Sequence, residues 1–200
     1  MGGEVLGNKP QLVLDIAGVL ITNMSPLFWQ LLSDSASISY EDLVSDFKVN
    51  VREQLWTGAF TEEEFWNRLC VTFPTVNLNN AKDSLQSSLQ PLPALNHLAR
   101  WSEIADIHLL SNHRTEWLMK PLATVRKYIR TFTISSDVGC CKPHREIYDV
   151  LANKLDAEQI VLFVDDQEKN FIPAIELGWM TLQADEFGTW IPQVELLLFG

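Results

Sequence analysis

The chain has 200 residues, 46% of them apolar, enough for one compact α/β domain with room for a small accessory module. Acidic residues outnumber basic ones 26 to 15, for a formal charge of −11. That balance argues against a nucleic-acid partner, because phosphate backbones bind through an excess of Lys and Arg.

The opening MGGEVLGNKP lacks the basic and apolar regions of a signal peptide, and Leu6 stands where an N-myristoylation motif wants Ser or Thr. No apolar run reaches membrane-spanning length, so the expected location is the cytoplasm, with no membrane partner. Leu12–Ile16 reads as a short buried strand. Residues 25–89 contain no good strand and read as amphipathic helices, among them Tyr40–Trp56 and Thr61–Phe73. Thr61 and Glu64 have the spacing of a capping box. In this stretch Phe28, Trp29, Trp56, Phe60, Phe65 and Trp66 are read mostly as helix-packing residues, with a pocket lining as the alternative. Gln90-Pro91-Leu92-Pro93 marks the return to the first unit.

Beyond it, Ile107–Leu110, Thr131–Ser135, Ile160–Val164 and Met180–Gln183 read as strands. They alternate with helical patterns over Arg114–Arg130, Glu146–Leu155 and Asn170–Leu177. Trp190 and the run Leu196–Phe199 are expected to close the C-terminal edge. Strands alternating with helices predict an α/β fold with a doubly wound parallel sheet. Residues 10–24 and 90–200 form its core, and 25–89 an inserted helical cap. Three cysteines, Cys70, Cys140 and Cys141, show no CxxC spacing and predict neither a disulfide framework nor a structural zinc site.

Ligands of an open parallel sheet gather at the carboxyl ends of its strands. Polar residues follow four of the predicted strands: Asp15, Ser111-Asn112, Ser135-Ser136 and Asp165-Asp166. Adjacent buried carboxylates are costly without a partner. A hard divalent ion shared by Asp15, Asp165 and Asp166 resolves the repulsion, and oxygen donors suit Mg²⁺. Lys142 would add positive charge for a bound anion, and such a site suits phosphoryl chemistry. The bland readings are helix capping for Asp15 and Ser111-Asn112, and an exposed helix start for His113 and Arg114.

The segments LVLDIAGVL (12–20), HLLSN (108–112), SSDVGCCKP (135–143) and VLFVDDQEKN (161–170) resemble, in order and spacing, the four motifs of the haloacid dehalogenase-like (HAD) superfamily. GAFTEEEFWNRL (58–69) resembles the helical cap that some members carry after the first motif. The closest likeness is to the phosphatase branch that includes the N-terminal domain of epoxide hydrolase and small sugar-phosphate phosphatases. The resemblance implies an Mg²⁺-dependent hydrolase of a small phosphorylated metabolite. Asp15 would be the nucleophile, and Ser111 with the amide of Asn112 would bind the phosphoryl group. Lys142 would balance charge between phosphate and nucleophile. Asp15, the Ala17 carbonyl, Asp165 and Asp166 would hold the metal, and Asn170 would brace the fourth motif.

One position departs from that pattern. Phosphatases of the superfamily usually place a second aspartate, the general acid/base, two residues after the nucleophile; this chain has Ala17. General acid–base groups typically contribute about 10²–10⁴-fold. Two other outcomes therefore stand beside a phosphatase: a binding or regulatory protein that kept the fold, and a C–P hydrolase using a cap lysine, Lys48 or Lys82. The haloacid dehalogenases also lack the second aspartate, but they lack the paired carboxylates of Asp165-Asp166 as well.

Overall fold

A computed structural model describes residues 9–199; the N-terminal segment read above for a leader and for Gly2 acylation lies outside them. Five parallel strands form one sheet: β1 (Gln11–Leu14), β2 (Asp106–Ser111), β3 (Ile129–Ile134), β4 (Val161–Asp165) and β5 (Met180–Gln183). Their spatial order is β3-β2-β1-β4-β5. The chain builds outward from β1 in one direction, then crosses to the other side at β4. This places the topological switch between β1 and β4, where such sheets open a crevice at their carboxyl ends.

Alternation along each strand decides which face every side chain covers. Leu12, Leu14, Ile107, Leu109, Leu162 and Val164 belong to one apolar cluster, which includes Trp101, Trp190 and Val194. Val13, Leu110 and Phe163 belong to a second, with Ile147, Tyr148, Leu151 and Ala174. The first face is covered by α6 (Leu98–Ile104) and α11 (Ile191–Phe199), the second by α9 (Arg145–Ala152) and α10 (Phe171–Glu176). Within the C-terminal run, Trp190, Val194 and Leu198 are buried, while Leu196 and Phe199 face solvent.

Between β1 and the return at Pro91 lie five helices: α1 (Leu27–Ala36), α2 (Tyr40–Asp46), α3 (Arg52–Trp56), α4 (Glu62–Thr72) and α5 (Leu78–Ser88). The helix expected over Tyr40–Trp56 is continuous but holds a π-type turn at Phe47–Val51. The capping box at the start of α4 forms: the Thr61 hydroxyl accepts from the Glu64 amide, and the Glu64 carboxylate accepts from the Thr61 amide. Phe28, Trp29, Phe65 and Trp66 are buried, and all four join the first apolar cluster. The outgoing and returning chains run side by side, with Thr22 N donating to Gln90 O at 2.8 Å and Leu92 N to Leu20 O at 2.9 Å.

One expected element is largely absent. In place of a helix over Arg114–Arg130, the chain forms one turn, α7 (Thr115–Leu118), then a series of turns, and enters β3 at Ile129. Pro121 gives the reason, because proline lacks the N–H a helix needs and its ring clashes with the carbonyl four residues earlier. Trp117, Leu118 and Leu122 are nonetheless buried, so the apolar spacing records burial without a helix. His113 and Arg114, expected at an exposed helix start, are only 2% and 6% exposed. The Arg114 guanidinium reaches across to α3, donating to the carbonyls of Leu55 and Phe60 while pairing with Glu116.

Candidate active site

The two strands flanking the switch point deliver Asp15 and Asp165. Asp15 directly follows β1, its amide donating to Val164 O at 2.9 Å. One oxygen of its carboxylate accepts from the Ile16 amide at 2.7 Å. Asp165 ends β4, with Oδ1 accepting from the Gln167 amide at 2.8 Å and from Asn170 Nδ2 at 2.9 Å. Asn170 thus braces the loop. Asp166 points back toward the turn after β1, where Asn23 Nδ2 donates to it at 3.3 Å. Gly18 makes room there: its φ is +85°, and a Cβ would lie 2.4 Å from Asp166 Oδ2.

Ligand oxygens of Asp15, Asp165 and Asp166 lie within 4.8 Å of one another. Lys142 enters from the loop after β3, its Nζ 3.0 Å from Asp15 Oδ2 and 2.5 Å from Asp165 Oδ2. Burial pushes the Asp15 carboxyl up to about 7; Lys142 opposes that shift and Asp165 adds to it. Asp166 is raised as well, first by burial and then by Asp165. For Lys142, burial acts to lower the pKa, but Asp15 and Asp165 outweigh it and the net shift is upward. Two buried carboxylates and a half-buried third share a single ammonium, so full ionisation would leave two negative charges uncompensated, the condition a hard divalent cation relieves.

The end of β2 supplies Ser111 and Asn112. The Ser111 hydroxyl favours the ionised form of Asp15, yet it is buried with no protein group in hydrogen-bonding geometry. The Asn112 side chain is committed to the backbone of Lys142. It accepts from that amide at 2.7 Å and donates to that carbonyl at 2.8 Å. The adjacent His113 packs against both Trp56 and Trp117, at centroid distances of 5.5 and 5.9 Å, and burial lowers its imidazole to about 4.

Above these residues opens a cleft of about 820 Å³, within the usual range of roughly 300–1,000 Å³ for small-molecule sites. Ala17, Asn112 and Lys142 line it from the sheet side, and Phe47, Arg52 and Trp56 from the inserted helices. Trp56 is therefore the member of the aromatic set that takes the pocket-lining role. Cys140 and Cys141 also border the cleft, and partial burial raises both thiols. Lys48 and Lys82 are not among the lining residues. Lys82 instead lies over the Trp66 ring at 6.0 Å, in a separate groove. Sequence reasoning did not single out Asn23, the Asn112 clamp, Arg52 or the Arg114 contacts. Asn23, Asn112 and Arg114 depend on partners far away in the chain, Arg52 matters only by its place at the cleft, and none carries a local spacing signal.

The sequence matches no protein-family model and no curated protein, whereas solved structures match across nearly the whole chain. The HAD-family enzyme BT-2542 of Bacteroides thetaiotaomicron superposes with a TM-score of 0.80 at 21% identity, over 93% of this chain and 98% of that one. A structure of the same enzyme in complex with magnesium and inorganic phosphate gives 0.79 at 22% identity, covering 94% and 100%. A HAD-like family hydrolase of Porphyromonas gingivalis gives 0.78 at 20% identity, covering 96% and 98%. A dehalogenase is more distant, at 0.64 and 18% identity, covering 98% and 100%. With its five-stranded parallel sheet and helices inserted after the first strand, this chain has the fold of the haloacid dehalogenase-like superfamily.

Proposed function

We propose that this protein is an Mg²⁺-dependent phosphomonoester hydrolase of small phosphorylated metabolites. The observation that carries the reading is Lys142 Nζ held between Asp15 and Asp165, beside a third carboxylate. The magnesium-and-phosphate complex of the similarly folded BT-2542 supports it. Asp15, Asp165, Asp166 and the Ala17 carbonyl would hold the ion. When bound, it would neutralise negative charge on the phosphoryl oxygens and on the carboxylates.

In this reading residues 25–89 act as a cap over a core of 10–24 and 90–200. A carboxylate oxygen of Asp15 attacks phosphorus in line as the bond to the leaving alkoxide breaks, giving an aspartyl-phosphate. Lys142 stabilises the charge shared by Asp15 and the phosphoryl group. The unpartnered Ser111 hydroxyl and the Asn112 amide donate to the equatorial oxygens. Water then attacks the aspartyl-phosphate and releases inorganic phosphate.

A second reading rests on Ala17. With no carboxylate at that position to protonate the leaving alkoxide, the chain would be a weakened enzyme or a phosphate-ester binding protein. The C–P hydrolase reading loses its support, because neither Lys48 nor Lys82 borders the cleft. A metabolite phosphate screen with Mg²⁺, with Asp15→Asn as control, separates the two that stand. Turnover that Asp15→Asn abolishes supports the phosphatase; binding without turnover supports the second reading. Trapping with beryllium fluoride and Mg²⁺ should place the adduct on Asp15, and an adduct elsewhere overturns the assignment.

A further inference from the structure

The cleft carries charge that the phosphoryl chemistry does not use. Arg52, the first residue of α3, lines it from the inserted helices, and Lys169, in the turn after β4, lines it from the sheet side. Both are exposed. Arg68, Arg100, Arg114, Arg130 and Arg145 each have a carboxylate partner, and Arg126 sits over the Phe132 ring at 4.7 Å. Among the described residues, Arg52 is the one arginine with neither kind of partner. In a chain with 26 acidic residues and a net charge of −11, a partner would have been easy to supply.

Glu53 is the one carboxylate among the cleft-lining residues. It follows Arg52 directly on the helix, and neighbours one position apart do not face each other. Lys142, the other lining cation, is already taken by Asp15 and Asp165. Besides Lys142, the cleft is therefore lined by two further cations, Arg52 from the inserted helices and Lys169 from the turn after β4, that the phosphoryl chemistry does not engage.

We propose that Arg52 and Lys169 form a second anion subsite, so that the substrate is a small phosphate ester carrying a further negative group, a carboxylate or a second phosphoryl. The proposal rests on the phosphatase reading for the first phosphoryl position only. A guanidinium takes either group through paired N–H donors, and Lys169 adds a compact charge from a second element. The remote anion anchors the leaving group over Asp15.

The test uses matched probes of graded length: ω-carboxyalkyl phosphates and α,ω-alkanediol bisphosphates, each against the ω-hydroxyalkyl phosphate of the same chain. Binding is measured by calorimetry on the Asp15→Asn protein with Mg²⁺, and turnover on the protein with Asp15 intact. The anionic member should be preferred by about tenfold or more at the matching length. That ratio should shrink in high salt and collapse in Arg52→Gln and in Lys169→Gln, while Arg52→Lys retains part of it. The carboxylate and bisphosphate arms show which second group is favoured. The proposal is overturned if no chain length shows the preference, or if the preference survives both glutamine variants. Anionic preference in binding without any turnover would sink the phosphatase reading and keep the subsite; turnover without the preference would do the reverse.

Discussion

The side-chain amide of Asn112 holds the backbone of Lys142 at both polar atoms, accepting from its N–H at 2.7 Å and donating to its carbonyl at 2.8 Å. The ends of β2 and of the loop after β3 are thereby locked together, and the Lys142 ammonium is aimed between Asp15 and Asp165. Asn112→Ala removes both bonds without touching a reacting group. Catalytic displacements of about 1 Å can cost 10²-fold, so turnover should fall about 10–100-fold while Mg²⁺ affinity changes little. Steady-state kinetics beside metal titration checks this; equal losses in both would point to general unfolding.

Metal binding should stabilise the fold. At ten times its dissociation constant, Mg²⁺ contributes about 1.4 kcal/mol by mass action, roughly 3–6 °C in Tm for a chain of this size. Asp166→Ala should weaken the metal and cut that increment. Differential scanning calorimetry with and without Mg²⁺ reads it, and the absence of any shift at millimolar metal would remove the main support for the metal site.

Ala17 borders the cleft and is only half buried, so a longer side chain can project into it. Ala17→Asp should raise turnover of alkyl phosphates by about 10–100-fold, within the usual reach of an acid/base group. Aryl phosphates, whose leaving groups need no proton, should gain far less. Parallel kinetics on both ester types with the unsubstituted chain, Ala17→Asp and Asp15→Asn decide the matter. If the chain as it stands already cleaves alkyl esters at ordinary enzyme rates, another group supplies the proton.

His108 predicts a pH dependence of stability. It is 2% exposed, its ring bonded to Thr131 at 2.7 Å and to Gln11 at 2.9 Å, and burial lowers its pKa to about 4. The folded state therefore keeps it neutral, while the unfolded chain takes up a proton near the ordinary value of about 6.5. Its contribution is complete above that value and is lost as pH falls toward 4. Relative to His108→Phe, the unsubstituted chain should lose about 1–3 kcal/mol between pH 7.5 and 4.5 in urea titrations. A constant difference across that range would show that the imidazole titrates normally.

Arg114 ties the inserted helices to the sheet unit through Leu55 O and Phe60 O. Arg114→Met keeps the length and removes the donors, leaving those carbonyls unpaired, each at a cost of about 1–3 kcal/mol. Hydrogen exchange should rise first in α3 and in the loop to α4, ahead of the sheet. Uniform exchange across the molecule would refute the local role.

Much of this protein was legible along the chain. The central strands β1, β2 and β4 announce themselves as short, mostly apolar runs because both of their faces are covered, while the edge strands β3 and β5 carry more polar residues. Three of the four polar strand ends, Asp15, Ser111-Asn112 and Asp165-Asp166, gather at the candidate site because parallel strands deliver their carboxyl ends to the same edge, whereas Ser135 bonds the backbone of His113. The capping box of Thr61 and Glu64 was readable because both partners lie within one turn.

What folding in three dimensions decided is what depends on distant partners. The spacing of Trp117, Leu118 and Leu122 reads as helical, yet Pro121 breaks the helix and packing buries the same residues in turns. Asn112 reads in the sequence only as the residue after Ser111; that its side-chain amide clamps the backbone of Lys142, thirty residues away, is set by the fold. His113 and Arg114 look exposed in any local window, because the helices that cover them come from earlier in the chain. Local spacing encodes hydrogen bonds and apolar faces over a few residues, whereas burial and pairing across the sheet exist only once the segments meet.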